Sequence, residues 1–187
     1  MVDSEKSSID EPIPFDFEKI FTSLSPRMLI FEAPASNLLM GRFTMQSVFP
    51  APRERLWRVL KLHVEDDQIG RIHPNFLFQR QVSREGNRWL LERKIRLLGR
   101  NYTTTWTVEM TPPETYRWEI VASDGLLVPG SYVENKYTDA EDGGTKVSTT
   151  VQMTLKGVPG FLQNWMIKRN LSRGDDEDLE YLRKMQT

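Results

Sequence analysis

Few side chains in this sequence are equipped for chemistry. His63 and His73 are the only histidines, and cysteine is absent from all 187 residues. Thiol nucleophiles, thiolate metal sites and disulfides are therefore excluded. His63 follows an apolar helical stripe, which makes it a packed or capping residue. His73 stands before Pro74 in a loop. Asp66, Asp67 and His73 could be assembled into a metal set, but no HxH or HExxH spacing supports one, so neither a metal nor another cofactor is expected. There is no GxSxG elbow and no phosphate-binding glycine loop; "GVPG" at 157–160 reads as a connector from strand to helix.

The most informative residue is Arg93, in "RWLLERKIRL" (Arg88–Leu97). As a helix, the stretch puts Leu91, Ile95 and Leu98 on one stripe and pairs Glu92 with Arg96. As a strand, it puts Arg93 alone among Trp89, Leu91, Ile95 and Leu97 on one face. An inward arginine needs a partner, because an unpaired buried charge is costly. Glu109 and Glu119 fall on the opposite phases of their own strands. Two readings stay open: Arg93 meets a ligand's carboxylate or phosphate or an acid from a helix, or it snorkels to solvent where the strand bulges.

Positioning these residues requires an ordinary folded domain. Apolar residues make up 39% of the chain and charged residues 27%, with a net charge of −1. That balance gives no global case for nucleic acid or an anionic membrane surface. No apolar run reaches 18 residues and the N-terminus is polar and acidic, so neither a membrane span nor a secretory signal is expected, and the cytoplasm is the expected location. Residues 1–40 carry seven acids against three bases, whereas 71–100 carry eight bases against two acids. Either these are solvated faces, or the acidic arm lies across the basic hairpin in cis or on a partner chain.

Residues 1–40 lack sustained periodicity and are broken by Pro12, Pro14, Pro26 and Pro34. Beyond Asp10 they are too apolar for a free tail and read as an arm that packs on the domain or on a second copy, allowing a homodimer. Residues 41–187 form the domain. "RFTMQSVF" alternates as a half-buried strand, and Pro52 then suits the start of a helix carrying Leu56, Val59 and Leu60. From residue 75 to about 156, Thr, Val, Tyr and Trp alternate through turns at "SREGN", "TPPE" and "EDGG", as in an antiparallel meander. Past "KGVPG" the period becomes helical, with Gly174 as a place for a bend.

In "SVFPAPRERLWRVL", the residues Ala51, Pro52, Glu54 and Trp57 resemble the opening "APxExxW" signature of the START/Bet v 1-like (SRPBCC) superfamily. "GGTKVSTTVQM" is similar to its "GGTxV" hairpin strand and "DLEYLRK" to the end of its last helix. The resemblance spans about residues 41–186 and is nearest to polyketide cyclase/dehydrase and coenzyme Q-binding START-like proteins. It implies an α+β helix-grip fold: a curved antiparallel β-sheet wrapped around a long C-terminal helix, with two short helices after the first strand. The stretch 88–97 is then a strand.

The same resemblance implies a cavity between sheet and helix and places His73 near its mouth. The inward phase is rich in rings and methionine, with Phe43, Phe76 and Phe161 beside the candidate ligand contacts. Those contacts are Met45, Phe78, Trp89, Leu91, Arg93, Trp106, Trp118, Val151, Met153 and Trp165. Such side chains line pockets for apolar ligands, or they simply fill a large curved sheet. The leading functional expectation is binding or transport of a small hydrophobic molecule (a lipid, isoprenoid quinone or polyketide-like compound). The alternatives are a cyclase or dehydratase working through Arg93, Tyr102, Tyr116 and His73, and an interaction module without ligand.

Overall fold

The computed structural model describes residues 29–31, 41–65 and 68–185. Among the described residues, eight antiparallel strands form one sheet in the order β1-β2-β8-β7-β6-β5-β4-β3. The strands are β1 (Leu29–Phe31), β2 (Arg42–Phe49), β3 (Phe76–Glu85), β4 (Arg88–Leu97), β5 (Arg100–Thr111), β6 (Thr115–Ser123), β7 (Tyr132–Asp139) and β8 (Thr145–Gln152). Helices α1 (Arg53–Leu62) and α2 (Ile69–Ile72) lie between β2 and β3, and α3 (Gly160–Lys184) closes the chain. This is the helix-grip arrangement that the family resemblance implies. Part of the N-terminal arm belongs to the sheet: β1 pairs with β2, setting Ile30 opposite Met45.

The stretch 88–97 is a strand, registered against β5 with Arg93 opposite Thr104. Its local helical pattern loses to pairing on both sides. Leu91 is fully buried, with Trp89 and Ile95 close behind. Glu92, Lys94 and Arg96 face outward, where Arg80 meets Glu92 at 2.7 Å.

The outermost strand β3 breaks its own alternation. Phe76 sits opposite Ile95, but Phe78 pairs with Lys94 and Gln79 with Arg93. Leu77 is therefore an extra, bulged residue, and the bulge exchanges the two faces of the strand. Phe78, expected inside, is 44% exposed, while Gln79 turns inward and is buried. A second register shift lies between Gln81 and Ser83.

The core has two clusters. One gathers Leu56, Trp57, Val59 and Leu60 of α1 with Leu179 and Leu182 of α3. The other sets Met166 and Ile167 of α3 against Phe43, Met45, Trp106, Ile120 and Val151 of the sheet. Burying each of these large apolar side chains stabilises the fold by about 1.5–3 kcal/mol. The helix stripe differs from the expected one: Met166 and Ile167 face in, whereas Trp165 and Phe161 are exposed. Trp165 instead lies under Arg169, whose guanidinium carbon is 5.3 Å from the ring centre.

Candidate functional site

A cavity of about 230 Å³ lies between the sheet and α3. It exceeds the roughly 150 Å³ that lets an apolar cavity accept benzene. One wall is aromatic. Phe76 and Trp106 meet edge to face at 5.9 Å, and Trp106 and Trp118 are 4.6 Å apart. Trp106 is held in place because its indole N–H donates to the Thr104 hydroxyl at 2.6 Å, and that hydroxyl donates to the Arg93 carbonyl. Leu127, Met153, Leu155 and Met166 supply aliphatic wall.

Of the contacts proposed from sequence, Arg93, Trp106, Trp118 and Met153 border this cavity. Met45, Trp89, Leu91 and Val151 are buried in the packing around it and do not reach its wall. Phe78 and Trp165 point to solvent, the first because of the Leu77 bulge, the second because α3 turns its neighbours Met166 and Ile167 inward.

Arg93 does not snorkel. It is 1% exposed and stacked over Trp106, with its guanidinium carbon 4.7 Å from the ring centre. Phe76 lies on it at 5.2 Å. Its Nε donates to Gln79 Oε1 at 2.7 Å and its Nη2 to the His63 carbonyl at 2.6 Å. Gln79 in turn donates to the Glu65 carbonyl at 2.7 Å, which fixes the amide. Among the described residues, no carboxylate forms an ion pair with Arg93; its neighbours are neutral oxygens, including the Tyr116 hydroxyl. Burial lowers its pKa to about 10, against the support of Tyr116. Burial likewise raises Tyr116 to about 12. Both therefore remain protonated at neutral pH, as donors.

Beside them lies a cluster built by three helical segments. His63 caps the C-terminus of α1, His73 caps that of α2, and Asp178 and Glu177 come from the middle of α3. His63 Nε2 is 3.0 Å from Asp178 Oδ1, and His73 Nδ1 is 2.8 Å from Glu177 Oε2. Burial is the strongest influence on His73 and lowers its pKa, but the hydrogen bonds and charges of Asp178 and Glu177 outweigh it and raise the value to about 9. For His63 burial prevails over Asp178, so its pKa is lowered and the ring is neutral. Burial alone would raise Asp178; the two imidazoles overcome it and hold the carboxylate well below its usual range. One turn away, burial lifts Asp175 to about 7. In the same cavity wall, the Asn135 amide interacts with the Tyr137 hydroxyl, while its Oδ1 is buried without a hydrogen-bond partner.

The His63–His73–Asp178–Glu177 group was not assembled from sequence, where the acids weighed beside His73 were Asp66 and Asp67. The signal was the position of Asp178. Counting along α3, Leu171, Asp175, Asp178 and Leu182 recur on one stripe, so two acids stand where apolar residues belong. His63 similarly continues Leu56, Val59 and Leu60. Asp66 and Asp67 lie outside the described residues.

The combination of this sheet and this closing helix defines the class of helix-grip folds. Residues 40–184 match the family model described as polyketide cyclase / dehydrase and lipid transport, and the chain belongs to that family. Solved structures agree on the fold. Ara h 8.0201 is 16% identical with a TM-score of 0.63, covering 76% of this chain and 97% of its own. Zhui aromatase/cyclase from Streptomyces sp. R1128 is 12% identical with a TM-score of 0.60, covering 75% and 90%. A START superfamily protein from Mycobacterium smegmatis is 11% identical with a TM-score of 0.64, covering 77% and 98%. A search of curated protein sequences returns no match. Among the described residues, no helix is long and apolar enough to cross a membrane.

Proposed function

We propose that the domain binds a small, mostly apolar molecule bearing one acidic or enolic oxygen, with its hydrocarbon part against Trp106, Trp118 and Met153 and the oxygen at Arg93 and Tyr116. The observation that carries this reading is the buried guanidinium bordering the cavity without an ion-paired carboxylate. A charge kept in a low-dielectric wall and satisfied only by neutral oxygens gains most from an anionic or strongly polarised oxygen. A purely greasy ligand would leave that gain unused.

A second reading is favoured by one further observation. His73 is a cation at neutral pH, His63 is neutral, and Tyr116 is a donor, and all three border the same cavity. An acid and a base held together are what proton transfer next to a carbonyl requires, as in a cyclisation or dehydration. The family description, which includes cyclases and dehydrases, is compatible with it.

Isothermal titration with three probes of one skeleton tests the binding reading: naphthalene, 2-naphthol and 2-naphthoate. The expected result is that an oxygen-bearing probe binds at least about tenfold more tightly than naphthalene, corresponding to about 1.4 kcal/mol. Arg93→Met should erase that preference while leaving naphthalene affinity unchanged. Equal affinity for all three probes on the wild-type protein would overturn the head-group assignment.

A further inference from the structure

The histidine–carboxylate cluster brings three atoms of ligand type to within 3.4 Å of one another. His63 Nε2 lies 3.0 Å from Asp178 Oδ1, His73 Nε2 lies 3.4 Å from the same oxygen, and the two Nε2 atoms are 3.2 Å apart. Each imidazole nitrogen either carries a hydrogen or presents a lone pair. If both carry hydrogen, both can donate to Asp178 Oδ1, and His73, which also meets Glu177 through Nδ1, must then be a cation. If His63 Nε2 is bare, its lone pair faces the carboxylate at 3.0 Å; if His73 Nε2 is bare, the same conflict arises at 3.4 Å. Protons therefore satisfy the cluster in one arrangement only, with a charged His73 kept among three buried groups.

A metal cation among the three atoms is the alternative: both imidazoles are then neutral, and each of the three atoms presents a lone pair to it. Metal–ligand bonds of about 2.0–2.1 Å set tetrahedral ligand atoms roughly 3.3 Å apart and octahedral neighbours about 3.0 Å apart. The three separations observed, from 3.0 to 3.4 Å, cover that range. We propose that His63, His73 and Asp178 form a binding site for one first-row divalent transition cation, such as zinc, with its remaining coordination open to the cavity.

Three further features fit. The three residues are brought together from α1, α2 and α3 and all are buried, so the cluster is a product of the fold and not of local sequence. Glu177 accepts from His73 Nδ1 at 2.8 Å, which directs the Nε2 lone pair at the proposed ion, the usual arrangement behind a metal-bound histidine. Two nitrogens and one oxygen suit zinc, cobalt or ferrous iron and are poorly matched to calcium or magnesium. The cavity borders all three residues, and the Tyr116 ring lies 5.9 Å from that of His63, so a ligand oxygen in the cavity could complete the coordination. The site stands independently of any organic ligand, since it is made from protein groups alone.

The test uses the full chain, free of any affinity tag and stripped with EDTA, titrated with zinc against a chromogenic chelator. One zinc per chain is expected. His63→Gln and Asp178→Asn should each weaken binding by roughly 100-fold or more, and Glu177→Gln by about 10–100-fold, since it only orients a ligand. Circular dichroism checks each variant's fold. Should the two ligand variants fail to fold, Glu177→Gln decides, because its carboxylate lies outside the ligand set. Replacement by cobalt should give a visible ligand-field band, intense if tetrahedral and weak if octahedral, and either supports the site. Wild-type protein taking up no stoichiometric zinc, or Glu177→Gln binding it with wild-type affinity, would overturn the proposal. None of these readouts requires an organic ligand, so their failure is separate from failure of the naphthyl probes.

Discussion

In metal-free protein the His73 proton should be visible as a pH dependence of stability. The folded-state pKa of His73 is raised from 6.5 to about 9. A raised base stabilises the fold fully below its unfolded value and loses that contribution as pH rises through its folded value. The full contribution is about 3 kcal/mol, and about 2 kcal/mol of it should disappear between pH 7 and pH 9. Asp175 acts in a different window: its folded value near 7, above the 3.8 of the free side chain, means stability is lost as pH rises toward 7 and little changes beyond. The slope above pH 7 therefore belongs mainly to His73. Asp178→Asn removes one of its two carboxylate partners and should lower the His73 pKa by about one unit, shrinking the loss by roughly half. Urea unfolding followed by tryptophan fluorescence in EDTA, at pH 7, 8 and 9, gives the energies. With only two histidines in the chain, nitrogen-15 NMR assigns the titration directly. A flat stability from pH 7 to 9, or both imidazoles titrating near 6.5, would refute the assignment.

Other substitutions test the packing. Gln79→Leu leaves the Arg93 Nε–H and the Glu65 carbonyl without their partner and should cost about 2–3 kcal/mol, whereas the neighbouring Phe78→Ser should change stability by less than about 0.5 kcal/mol; chemical denaturation of the pair measures both. Trp106→Ala should cost about 3–5 kcal/mol, and Trp165→Ala under about 1 kcal/mol with no effect on 2-naphthoate affinity. Equal losses at the two tryptophans, read by thermal melting and titration, would mean that the helix presents a different face to the cavity.

Most of the fold was legible because its signals are periodic. Alternation from residue 75 onward, the change of period after "KGVPG" and the Pro52 helix start each correspond to an element found in place. The stretch 88–97 needed its neighbours, since pairing on both sides decides what local propensity leaves open. The site was only half legible. Trp106, Trp118, Met153 and Arg93 follow from simple alternation, and all border the cavity. Phe78 was misplaced because one extra residue at Leu77 inverts a strand's faces, and no composition signal marks a bulge on an edge strand. Trp165 was misplaced because two adjacent stripes of α3 are both apolar near its start. The histidine–carboxylate group was invisible to motif spacing, since its members are separated by 10 and 115 residues and meet only in three dimensions.

The central claim is that the cavity holds an apolar molecule by its acidic oxygen. Native mass spectrometry of the full chain, incubated with equimolar naphthalene and 2-naphthoate at neutral pH, tests it most directly. The account predicts a one-to-one complex with 2-naphthoate as the dominant adduct, reduced to the level of naphthalene in Arg93→Met. A wild-type spectrum with equal occupancy of the two, or an Arg93→Met spectrum in which the 2-naphthoate adduct is undiminished, would contradict it.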